Sequence, residues 1–177
     1  MIRHAESAWN EHFSANRIDI GWPDPPLTGR GEEQARQAVE RLRGYGLRRL
    51  VASPYRRTLQ TASILATALG VPMSVDPLVR ERCAFSCDQG SSPEELASQW
   101  PELDFSMLDR RWWGATIESW PSLADRCAAF RTTIGSTADR DEVGVVSHWG
   151  FIRGLTGAEL HNTQTIRLVH DAARPTD

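Results

Sequence analysis

Long apolar runs, cysteine and net positive charge are all scarce in this chain, and each scarcity removes a class of protein. No stretch approaches the roughly 18 consecutive apolar residues that a membrane-spanning helix needs. Neither the apolar core of a secretory leader nor a lipidation motif is present, so the sequence predicts no spanning, no export and a cytoplasmic location. The three cysteines, Cys83, Cys87 and Cys127, are odd in number and too few for a disulfide framework, which suits free thiols in a reducing compartment. Cys83 and Cys87 invite a metal or redox reading, yet no histidine follows at zinc-ligand spacing and no metal is expected. A net charge of −3 speaks against a surface built for nucleic acid. Internal repeats, low-complexity tracts and linkers are absent as well.

What is present is an ordinary globular balance. The 177 residues, 40% hydrophobic and 24% charged, fit one domain spanning 1–177 with a proper core. Ala35, Ala38, Val39 and Leu42 recur at helical spacing between Thr28 and Gly44, predicting a helix over 29–43. Residues 47–52 read as a short buried strand. A second helix is expected from Ser53-Pro54, carrying Ala62, Leu65, Ala66 and Leu69 up to Gly70. Residues 71–75 read as a strand that Pro72 confines to an edge. Ser92-Pro93-Glu94-Glu95 is a capping box that should open a short helix with Leu96 and Trp100 inward, ended by Pro101. Residues 101–120 are aromatic and basic without a period, which fits a cap over a pocket or a surface loop. Leu123, Cys127, Phe130 and Ile134 then mark a third long helix and residues 143–147 a strand. A tail from about Asp171 is expected to be flexible.

Strands alternating with helices over short connections imply βαβ units and a parallel-rich sheet covered on both faces. Ligands of such sheets gather at the carboxyl ends of strands, where helix N-termini aim amide groups at an anion. His4, Ser53 to Arg57 and His148 all fall just beyond predicted strands. Arg3-His4 is phosphate chemistry in small form, because a neutral imidazole is nucleophilic near pH 7 and a guanidinium grips two phosphoryl oxygens.

Three blocks in order, Arg3-His4, Ser53-Pro54-Tyr55-Arg56-Arg57-Thr58 and Val145-Val146-Ser147-His148, together with Leu27-Thr28, Gly31 and Gln34-Ala35, carry a family likeness. From Arg3 to about Leu155 the chain resembles the histidine phosphatase superfamily, the phosphoglycerate mutase-like family. The resemblance implies an α/β fold, a three-layer αβα sandwich with a mostly parallel sheet, and a cap or loop insertion at about 82–120. Two positions depart from the family: Ala5 and Trp149 stand where glycines are usual. Ala5 would be strained if its backbone needs positive φ, and Trp149 is placed to wall the pocket. The family's first strand is central and longer, whereas only Met1 and Ile2 precede Arg3 here. Either the chain starts late or the sheet is built on a shortened strand, which predicts lower stability.

By the same resemblance His4 is the nucleophile that forms a phosphohistidine, with Arg3 and Arg57 clamping the phosphoryl oxygens. Arg57 is preferred to Arg56 because it holds the family's position four residues after Ser53. His148 matches the second family histidine and is expected to bind the phosphoryl group as an imidazolium. Asn10 matches the asparagine near the phosphate, and Arg82 is expected to bind substrate. Glu81 takes the place of the proton-donating acid, with Glu6 as its competitor.

No cofactor is implied, since arginines supply the positive charge a metal would bring. The leading expectation is a metal-independent phosphatase of a small phosphorylated metabolite, with no nucleic-acid or membrane partner and a homodimer left open. A cofactor-dependent phosphoglycerate mutase is the first rival. Arg110-Arg111 and the Gly21-Trp22 with Asp24 pattern favour it, while the short chain and Ala84 after Glu81-Arg82 speak against it. A weakly catalytic phospho-ligand binding protein is the second. Trp9, Trp22, Trp112 and Trp113 either line the pocket or pack in the core.

Overall fold

The computed structural model describes residues 1–114 and 117–168; the tail expected to be flexible lies outside them. Four parallel strands form one sheet in the order β1-β4-β2-β3: β1 Ile2–Arg3, β2 Arg49–Ala52, β3 Met73–Val75 and β4 Val143–Ser147. Six helices accompany them: α1 Ala8–Asn16, α2 Gly29–Arg43, α3 Arg56–Leu69, α4 Pro93–Gln99, α5 Trp120–Gly135 and α6 Trp149–Thr156. Among the described residues no helix is long and apolar enough to cross a membrane.

Side-chain alternation along the central strands builds the layers. Leu50, Ala52 and Val146 face one side, where Val39 and Leu42 of α2 and Leu59 and Leu65 of α3 cover them. Val51 and Val145 face the other, against Phe130 and Ile134 of α5 and Phe151 and Leu155 of α6. Both faces are therefore dry, as a parallel sheet requires. Phe105, Leu108 and Trp112 pack into the α2–α3 side, so much of 101–120 is tied to the core rather than running as a bare surface loop.

Boundaries moved where tertiary contacts outweigh local signals. The helix expected from Ser53-Pro54 starts at Arg56, because the Ser53 hydroxyl bonds His148 and the cap comes from Asp24, whose Oδ1 accepts from the Arg56 amide at 2.9 Å. The edge strand begins at Met73 rather than residue 71, just past Pro72. Helix α1 had no apolar period to announce it, since Trp9 is its single buried residue; Ser7 and Asn10 cap it reciprocally.

The short first strand is held from two sides. Ile2 and Arg3 pair with Val146 and Ser147 of β4. On the opposite side the Arg3 amide donates to Gln164 O at 3.1 Å, the Thr163 amide to Arg3 O at 3.0 Å and the Ile166 amide to Met1 O at 2.9 Å. The ladder order thus puts β1 at an end, but returning chain covers that edge. Ala5 is absent from the positive-φ residues Arg17, Asp24 and Thr163, so the alanine is unstrained. Gly31 matters instead: a β-carbon there would lie 2.0 Å from the Glu6 carbonyl oxygen, so only glycine lets α2 start against the turn that carries His4.

Candidate active site

The carboxyl ends of β1, β2 and β4 deliver His4, Ser53 and His148 to one place. There Arg3, His4, Asn10, Arg57, Glu81, Arg82, Asp88 and Trp149 line a single cavity of about 430 Å³. His148 lies beside His4, with ring centroids 5.1 Å apart. A second cavity of about 390 Å³ at the amino edge of the sheet holds none of these groups.

His4 is buried, and its Nδ1 lies 2.7 Å from the Ala5 carbonyl oxygen. A carbonyl only accepts, so Nδ1 carries the proton and Nε2 keeps the lone pair. Burial first, then the Arg57 and Arg3 cations, push the His4 pKa well below the ordinary imidazole value, so the ring is neutral at pH 7. His148 Nε2 lies 2.8 Å from Ser53 Oγ, while its Nδ1 is buried without a partner. Burial, Arg57 and His4 lower its pKa far as well. The imidazolium expected for His148 is therefore not the form the protein alone favours, because nearby cations repel a third positive charge.

Arg57, not Arg56, reaches the cavity. Its guanidinium donates to Cys87 O at 2.7 Å and pairs with Asp88 Oδ1 at 3.1 Å, lying 4.4 Å over the Tyr55 ring. Asp88 Oδ2 accepts from the Ala84 and Phe85 amides, both at 3.0 Å, so one carboxylate fixes both the arginine and the loop. Arg3 donates to Leu160 O at 2.8 Å, and its buried Nε has no partner. Asn10 Oδ1 accepts from the Ser7 amide at 3.1 Å in the capping box. Asn162 ties that side of the site together, donating to His4 O at 2.9 Å.

Glu81 sits against the start of α6. Its Oε1 accepts from the Arg82 and Phe151 amides at 2.8 and 3.1 Å, and its Oε2 from the Gly150 amide at 3.2 Å. Burial and Asp88 raise its pKa, against the opposing pull of Arg57 and these amides. The competitor Glu6 turns away: it accepts from Thr28 Oγ1 at 3.0 Å and pairs with Arg30 at 3.6 Å, at the start of α2. Arg126 on α5 holds the Glu81 segment from behind, donating to Leu78 O at 2.8 Å and Arg80 O at 2.7 Å while its Nε bonds Glu118 at 3.0 Å.

Sequence reading missed Asp88, Arg126 with Glu118, and Asn162; only the charged or amide character of each hinted at a role. Arg82 does line the cavity, its guanidinium 4.4 Å over the Trp120 ring. The mutase-like signals fall elsewhere. Arg110 and Arg111 are exposed and outside the lining, and Asp24 is spent on capping α3 and on Ser91. Of the four tryptophans considered, Trp9 lines the cavity, Trp112 is in the core, Trp113 packs against it and Trp22 is exposed. No cluster of His, Cys, Asp and Glu suited to a metal ion occurs among the described residues.

Known proteins resemble the chain to different depths. A stretch of 81 residues is 46% identical to the probable phosphoglycerate mutase GpmB of Enterobacter sp. (strain 638), covering 46% of this chain and 36% of that protein. The counterpart from Yersinia enterocolitica is 41% identical over 81 residues, with the same coverage. The matched stretch thus spans about a third (36%) of these relatives' own length. Among solved structures, a putative alpha-ribazole-5′-P phosphatase from Escherichia coli superposes with a TM-score of 0.61 at 22% identity, over 88% of this chain and 76% of that one. A mycobacterial glucosyl-3-phosphoglycerate phosphatase gives 0.57 at 24% identity, over 89% and 76%. These structural likenesses establish the fold. The sequence profile of the histidine phosphatase superfamily (branch 1) matches residues 1–173. With the profile matching nearly its whole length, and His4 and His148 side by side at the ends of two parallel strands, the chain belongs to the histidine phosphatase superfamily.

Proposed function

We propose that the chain hydrolyses small phosphomonoesters through a phosphohistidine on His4, without a metal ion. The observation that carries this reading is the state of His4: its Nδ1 is tied to the Ala5 carbonyl at 2.7 Å, and the ring is held neutral between two arginines. A buried neutral imidazole with a free Nε2 is a nucleophile, and the cations that suppress its protonation also attract a phosphoryl dianion.

In the first step His4 Nε2 attacks phosphorus; the P–N bond forms as the P–O bond to the leaving group breaks. Glu81, whose pKa burial and the Asp88 charge raise, gives its proton to the departing alkoxide. Water then attacks the phosphohistidine and surrenders a proton to the Glu81 carboxylate. The P–N bond breaks, inorganic phosphate leaves, and both side chains return to their starting forms. Arg3 and Arg57 balance the equatorial oxygens, with N–H groups of Arg57 still free beyond Cys87 and Asp88. Once a dianion is bound its charge favours protonation of His148, which then donates to it. Asn10 adds an uncharged donor and Arg82 a cation nearer the substrate body. Free Cys83, Cys87 and Cys127 suit a reducing compartment, and the reading carries a cytoplasmic location with it.

The rival mutase reading draws on the names of the sequence relatives. Against it stands the position of Arg110 and Arg111, the pair that would hold a substrate carboxylate, outside the cavity. The discriminating experiment is a panel of phosphomonoesters assayed with and without a bisphosphoglycerate primer, on wild type and His4→Ala. Phosphate release that depends on His4 and not on the primer supports the phosphatase. Isomerisation outrunning hydrolysis supports the mutase, and phosphate binding without turnover supports a binding protein.

A further inference from the structure

The cavity is polar where it is buried and aromatic where it opens. His4 and Arg57 are each 3% exposed, whereas Phe85 and Trp120, on the same lining, are 42% and 51% exposed. Trp9 and Phe13 stack with centroids 4.4 Å apart and an interplanar angle of 11°. Phe85 closes on both, at 5.1 and 5.3 Å. Three lining guanidiniums lie over lining rings: Arg17 on Phe13 at 5.7 Å, Arg82 on Trp120 at 4.4 Å and Arg153 on Trp149 at 5.0 Å.

Large rings left in water at a rim are an unfavourable use of apolar area unless a ligand covers them. Rings alternating with guanidinium planes offer π faces for stacking and cations for the polar edge of a flat ligand. A small, wholly polar sugar-acid phosphate would leave these rings wet. Resting on the phosphatase reading, we propose that the preferred substrate is a phosphomonoester whose leaving alcohol carries a planar aromatic ring. That ring stacks in the Trp9–Phe13–Phe85 wall and beside the Arg82–Trp120 pair while the phosphoryl group sits at His4.

The test compares kcat/KM within matched pairs that leave as similar primary alkoxides, so that chemistry is constant and the ring varies: benzyl against cyclohexylmethyl phosphate, and adenosine 5′-monophosphate against ribose 5-phosphate. Wild type should favour the ring-bearing member of at least one pair by about tenfold. Preference confined to the nucleoside pair assigns a nucleobase, and preference confined to the benzyl pair an arylalkyl group. Phe85→Leu, which keeps apolar bulk without the ring, should shrink that preference roughly threefold, through KM rather than kcat. Equal values within both pairs overturn the proposal while leaving the phosphatase reading intact. If no ester is turned over, the phosphatase reading fails and calorimetry decides the ring separately: benzylphosphonate binding more tightly than cyclohexylmethylphosphonate supports it, and equal binding overturns it.

Discussion

Glu81 fits against α6 because residue 150 has no side chain: a β-carbon on Gly150 would stand 2.5 Å from Glu81 Oε1 and 3.2 Å from the Arg82 β-carbon. Gly150 is inside the first turn of a helix and its φ is ordinary, so space rather than backbone freedom is the constraint. The proposed proton donor is thereby seated on the amides of residues 150 and 151. Gly150→Ala keeps helical propensity but evicts the carboxyl group. The variant should fold and lose about 100-fold in kcat/KM on alkyl esters, yet far less in kcat/KM on p-nitrophenyl phosphate, whose leaving group needs no proton. An equal loss on both substrates would mean that Gly150 serves the fold and not the acid.

The pH profile should follow from two opposite shifts. His4 must be neutral and its pKa is lowered, so the acid limb of kcat/KM should lie well below the usual imidazole range. Glu81 must be protonated and its pKa is raised, so the alkaline limb should lie above the usual glutamate range. Wild type should therefore show the alkaline limb with an alkyl phosphate and not with p-nitrophenyl phosphate, and Glu81→Gln, measured on the alkyl phosphate, should lose that limb and keep the acid limb. An alkaline limb that survives in Glu81→Gln would assign it to another group.

Asp88 connects the clamp to the acid. It anchors Arg57 at 3.1 Å in a pair whose side chains are 4% and 3% exposed, and its charge helps raise the Glu81 pKa. Asp88→Asn should therefore shift the alkaline limb to lower pH and, by unpairing a buried guanidinium, cost roughly 3–5 kcal/mol of stability. Urea titration together with the pH–rate profile checks both effects; an unmoved limb would remove Asp88 from the control of Glu81.

Much of this architecture was legible in sequence because burial there is periodic. The second helix, Gly29–Arg43, and the strand Val143–Ser147 appear at the expected bounds, since their apolar spacing and caps agree. Helix α1 was not legible, having Trp9 alone buried, and Gly150 and Gly154 interrupt the apolar pattern of α6. Arg3, His4, Arg57, Glu81 and His148 converge as their blocks suggested, because each stands near a strand end or the loop that follows. Asp88 and Arg126 were invisible for another reason: their partners lie 31 and 46 residues away, as Arg57 and the Arg80 carbonyl, and nothing local marks such a pairing. That His148 is neutral before a phosphoryl group arrives was not legible, because its burial and the repulsion of Arg57 exist only in the assembled site.

His148 should also make the fold acid-sensitive. Its folded-state pKa is depressed, so its contribution to stability is present above the unfolded value of about 6.5 and is lost as pH falls below it, by up to about 1.4 kcal/mol per pH unit. In phosphate-free buffer the stability of wild type minus that of His148→Gln should decline from pH 7.5 to 5.5. A constant difference would mean that His148 ionises as freely in the fold as in the unfolded chain.

The central claim is a covalent bond from His4 to phosphorus, and rapid-quench labelling tests it most directly. Mixed with a ³²P-labelled phosphomonoester that it hydrolyses and stopped in alkali, the protein should carry an acid-labile, alkali-stable label on the peptide containing His4, and His4→Ala should neither label nor release phosphate. Sustained phosphate release by His4→Ala would contradict the account.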